Sequence, residues 1–60
     1  MKFIKIGNAF VNIANIAAIF PVDFNDEHGC LVLLNNGREI SDPRKTPESL
    51  YEEIGGLLSE

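Results

Sequence analysis

Cys30-Leu31-Val32-Leu33-Leu34-Asn35-Asn36-Gly37-Arg38-Glu39-Ile40-Ser41 is the stretch that decides the fold. Five apolar residues in succession, bounded by polar turn formers, read as a strand with apolar contacts on both faces. Asn36-Gly37 is the strongest local signal for a two-residue hairpin turn, so residues 38–41 return as a second strand. A β-hairpin therefore anchors the chain, and one of its strands needs cover on two sides.

Toward the N-terminus the pattern stays extended. Phe3–Ile6 alternates, with Ile4 and Ile6 on one face and Phe3 and Lys5 on the other. Gly7-Asn8 is a turn, and a tight hairpin would pair Phe3–Ile6 with Ala9–Asn12. Asn12-Ile13-Ala14-Asn15 predicts a single helical turn capped by Asn12, because asparagine bonds nearby backbone amides. Residues 16–20 are apolar on both faces, which suits a covered strand or a buried helical turn. Pairing should loosen at Pro21, which has no N–H, and residues 22–24 can prolong the strand. Residues 25–29 read as a polar loop.

Toward the C-terminus, residues 42–45 form a loop before a helix. Thr46 is a good N-cap, Pro47 suits the first helical position, and Glu48 complements the dipole. Leu50, Ile54, Leu57 and Leu58 form one apolar stripe, with Glu52, Glu53 and Glu60 on the wet side. Gly55-Gly56 interrupts it at about 1 kcal/mol per glycine, so the helix ends there or packs closely against a backbone. The expectation is a single α+β domain over residues 1–60: a small antiparallel β-sheet of four to five short strands with one C-terminal α-helix.

Sixty residues bury too little surface for comfortable stability. One cysteine, Cys30, excludes an internal disulfide. Metal ligands other than carboxylates are confined to His28 and Cys30. Self-association is the remaining staple, and a two-faced apolar strand in a chain with one helix asks for a second subunit. The contact surface is expected at Phe10, Ile16, Ile19, Phe20, Phe24, Leu31 and Leu33, since apolar and aromatic anchors dominate interfaces. The same side chains could instead fill the monomer core.

The net charge of −4 opposes binding to phosphate backbones, and no basic run appears. Nucleic-acid binding would need Lys2, Lys5, Arg38, Arg44 and Lys45 to gather on one face. The N-terminus lacks the continuous apolar core of a signal peptide, and no apolar stretch approaches the ~20 residues of a membrane span. With a free cysteine besides, the reading is cytoplasmic.

Motifs for chemistry are weak. His28 and Cys30 are two apart, yet no third orienting group is identifiable, and Cys30 opens an apolar strand where a thiol is ordinary packing. Asp23, Asp26, Glu27 and His28 do not match a calcium loop. Gly7-Asn8 and Gly55-Gly56 lack the spacing of phosphate loops. No catalytic residue, metal site or cofactor is assigned. Arg44, Lys45 and Thr46 precede a helix start and could bind an anion there.

The order of strand, residues 10–19, an Asn-Gly hairpin spanning residues 31–38 and a helix opened by Thr46-Pro47-Glu48-Ser49-Leu50 resembles the FlbD-like small bacterial proteins of flagellar operons. More distantly it resembles half of a LytTR-type DNA-binding domain. The resemblance covers nearly the whole chain through turn and strand signals. It implies the fold and brings no functional residue with it. The function expected is therefore a non-enzymatic interaction or regulatory module, a homo-oligomeric adaptor for a protein partner. The alternatives are a small anionic-ligand binder with an inter-subunit pocket near residues 42–46, and a nucleic-acid-binding regulator.

Overall fold

The computed structural model describes residues 2–24 and 27–59. Gly7-Asn8 closes the first hairpin, with β1 (Phe3–Ile6) antiparallel to β2 (Ala9–Asn12) from Phe3↔Asn12 to Ile6↔Ala9. Gly7 takes φ +59°, the left-handed region that a glycine adopts without penalty. One 3₁₀ turn, Ile13–Asn15, follows, with the Asn12 side chain accepting from the Ala14 amide at 3.1 Å as expected.

β3 (Ile16–Phe24) and β4 (Glu27–Leu34) form a long hairpin, and β5 (Glu39–Asp42) pairs with the other edge of β4. The strands thus divide into a two-stranded and a three-stranded antiparallel sheet. With the C-terminal helix α1 (Pro47–Leu58), they make a small α+β fold.

Three local expectations are corrected. β4 begins at Glu27, so the polar loop is shorter than residues 25–29, because Val22↔Gly29 and Asp23↔His28 continue the ladder. Pro21 pairs with Cys30 inside an unbroken run; β3 is an edge strand, where a missing N–H is tolerated. The turn between β4 and β5 is also longer than two residues. The Gly37 amide donates to the Leu34 carbonyl at 3.0 Å and the Leu34 amide to the Arg38 carbonyl at 2.8 Å. Gly37 sits at φ +88° and the Asn36 side chain accepts from the Arg38 amide at 3.0 Å. That is the three-residue hairpin with a left-handed glycine, favoured here by the asparagine's own turn bond.

Ile4, Ile6, Val11, Ile13, Cys30, Val32 and Leu50 form the core, with Ile16, Ile19, Leu34, Ile40, Ile54 and Leu57 packed against it. Leu50 brings α1 onto the inner side of the sheets. Thr46 and Ser49 make a reciprocal capping box at the helix start. The helix runs on through Gly55-Gly56, and a Cβ at either glycine would meet nothing within 4 Å. Neither reason foreseen for the glycines applies within the chain.

Candidate interaction site

Directly opposed residues of an antiparallel pair share a face. Ile19↔Val32↔Ile40 and Pro21↔Cys30↔Asp42 are therefore rows on the inner face of the three-stranded sheet. Ala18↔Leu33↔Glu39, Phe20↔Leu31↔Ser41 and Val22↔Gly29 are rows on its outer face. Cys30 and Val32 are fully buried, whereas Leu31 and Leu33 are half-buried and Phe20 is 47% exposed. The apolar run 30–34 therefore has cover on its inner face, and its outer face borders an open apolar surface of Ala18, Phe20, Val22, Leu31 and Leu33.

The structure brings three of the expected contact residues, Phe20, Leu31 and Leu33, into this one surface. Ile16 and Ile19 pack toward the core. Phe10 is 73% exposed on the first hairpin, beside Phe3 at 50%. The Phe24 side chain lies outside the described part of the structure. Ala18 and Val22 belong to the surface and were missed, although period-two alternation through Phe20 points to both.

The two sheets meet at Asp42, a buried carboxylate. Its Oδ2 accepts from the Gly7 amide at 2.9 Å and its Oδ1 from the Arg44 amide at 2.9 Å. Burial alone would raise its pKa. The two amides, with the Arg44 and Lys45 charges, outweigh that and hold it below the usual carboxylate range.

Around the expected anion site the charges are matched from within. Lys45 Nζ donates to the Lys5 carbonyl at 2.9 Å and to Glu53 Oε1 at 3.1 Å. Thr46 Oγ1 accepts from the Ser49 amide at 3.1 Å. Arg44, though its side chain is 71% exposed, stands with Nε 3.9 Å from Asp42 Oδ1. A depression of about 330 Å³ is lined by Lys5, Gly7, Asp42, Arg44 and Lys45, and a carboxylate already stands in it. The cations are also dispersed: Lys2 Nζ donates to the Leu57 carbonyl near the end of α1, and Arg38 lies beyond the turn between β4 and β5.

His28 and Cys30 lie in opposite surroundings, His28 exposed and Cys30 fully buried. Burial first, and the Asp42 charge second, raise the pKa of the Cys30 thiol. His28 is exposed and bonds Asp23 across the strand pair, Nδ1 to Oδ1 at 2.7 Å. Asp26 and the Glu27 side chain lie outside the described part. Among the described residues no three His, Cys, Asp or Glu side chains group as metal ligands, and no helix is long and apolar enough to cross a membrane.

The chain matches no protein-family model, no curated protein and no solved structure. The likeness to FlbD-like proteins therefore rests on the order of turns and strands alone.

Proposed function

We propose that this chain is a non-enzymatic interaction module that self-associates through the outer face of the β3–β4–β5 sheet. The observation that carries the reading is the apolar surface of Ala18, Phe20, Val22, Leu31 and Leu33, which α1 leaves open because it packs on the inner side. A second copy is the occupant favoured by charge. The chain carries −4 overall, yet residues 9–22 include no charged side chain, and Glu39 is the one carboxylate in the rows Ala18↔Leu33↔Glu39, Phe20↔Leu31↔Ser41 and Val22↔Gly29. Like-charged copies meet with least repulsion across such a surface, whereas a basic partner would gain little from it.

Face-to-face packing is favoured over pairing at the β3 edge. The register shift between Ile16 and Ala18, together with Pro21, interrupts that edge as natural sheets do to prevent strand addition. Regulation or bridging of a protein partner is the role such a self-associating module would serve. Isotope-filtered NMR on a mixture of labelled and unlabelled chains tests the reading. Intermolecular contacts to Phe20, Leu31 and Leu33 are expected; contacts confined to other surfaces, or none at millimolar concentration, would refute it.

A further inference from the structure

β2 and β5 face one another across a cleft of about 580 Å³. Every residue of β2 lines it, as do Glu39 and Ile40 of β5. Successive strand residues point to opposite faces, so a cleft that touches consecutive residues runs along the strand edge. The other edge of β2 is taken by β1, and that of β5 by β4. Among the described residues no ladder joins β2 to β5.

The direction of the β5 backbone follows from two contacts. The Leu34 amide bonds the Arg38 carbonyl at 2.8 Å, which by alternation assigns the backbone groups of residues 38, 40 and 42 to β4. Glu39 and Ser41 then turn theirs the other way. The Ser41 carbonyl oxygen indeed lies 2.8 Å from where a Cβ on Gly7 would stand. The Gly7–Asp42 bond closes the cleft at this end. Phe3, Asn36 and Arg38 line the cleft as well.

A residue in a packed sheet occupies about 3.3 × 4.8 × 10 Å, roughly 160 Å³. A cleft of about 580 Å³ therefore has room for three to four extended residues, matching the 4 residues of β2. We propose that it receives an extended peptide segment of a partner protein, which hydrogen-bonds through its main chain to β2 and β5 and joins the two sheets into one. Arg38 and Glu39 offset one another in the lining, so the segment is uncharged. It is apolar at alternate positions, to meet Phe10 on one face and Val11 and Ile40 on the other, and free of proline where it pairs. The inference rests on the reading of the chain as an interaction module, and not on the face through which copies associate.

The test selects random seven-residue peptides displayed on phage against the full chain, then titrates the resynthesised peptides into isotope-labelled protein. Selected peptides are expected to protect the amides of β2 and β5 that face the cleft, that of Glu39 included. N-methylation of their alternate peptide bonds should weaken binding about tenfold or more, as loss of main-chain hydrogen bonds requires. Leu31→Glu, which alters only the outer face, should bind the same peptides equally well, so a failure of self-association would not obscure the result. Peptides that protect other surfaces, binding indifferent to N-methylation, or no selected peptide tighter than about 1 mM would overturn the proposal.

Discussion

Asp42 is 2% exposed at the end of β5, and its two oxygens accept the amides of Gly7 and Arg44. Asp42→Ala strands both amides and should cost about 2–3 kcal/mol, the range for hydrogen bonds to a charged group. In a domain of this size that lowers Tm by roughly 4–8 °C per kcal/mol, readable by thermal denaturation. The pH dependence has a definite sign. A folded pKa below the ordinary 3.8 means that the group's stabilisation is complete above that value and is lost as pH falls through the lower folded value. Acid unfolding of the Asp42→Ala variant should therefore begin from a lower plateau and lose less below pH 3.8 than the parent does. Cys30, raised above 9.0, works at the other end: its contribution is present below pH 9.0 and is lost as pH rises beyond it.

Gly7 joins the same junction. A Cβ there would stand 2.8 Å from the Ser41 carbonyl oxygen, with the backbone at φ +59°. Gly7→Ala should cost about 2 kcal/mol or more, against about 1 for Gly37→Ala, where φ is +88° but nothing lies within 4 Å. Equal losses in urea titrations would contradict the close approach. The turn at Gly7-Asn8 was legible in the sequence, because a local signal sets it. The partnership with Asp42, 35 residues away, was not, since an aspartate before proline reads equally well as a loop residue.

At the scale of elements, helix α1 was the most legible, its start fixed by Thr46, Pro47 and Glu48 acting within one turn. Its stripe was less so: Leu50 is fully buried, whereas Leu58 is 60% exposed. Gly55 and Gly56 lie in the helix interior with open space around them, so Gly55→Ala and Gly56→Ala should each stabilise by about 1 kcal/mol, raising Tm in a melt. A loss of stability would show that a neighbouring backbone needs that space. Pro21 misled the reading of β3 because a proline's effect depends on whether its strand is central or at an edge, and strand order is a long-range property.

At the scale of the whole molecule, the apolar run 30–34 announced a strand with two apolar faces, but not which face α1 would cover. Register settles it: Val32 and Cys30 fall on the side of Leu50, Leu31 and Leu33 on the side of Phe20. Division into two sheets was equally hidden, since nothing local distinguishes a fifth paired strand from one stopped by Gly7 against Ser41. The open face yields a prediction with separable parts. Leu31→Glu should leave the far-UV circular dichroism unchanged, because the side chain is only half-buried, while lowering the concentration-dependent mass. A variant that unfolds instead would mean that Leu31 serves the monomer's core.

Light scattering of the parent chain across a dilution series tests the central claim most directly. Self-association through the outer sheet face predicts a mass above 6.6 kDa at high concentration that falls toward 6.6 kDa on dilution. A mass of 6.6 kDa at every concentration up to the millimolar range would contradict it.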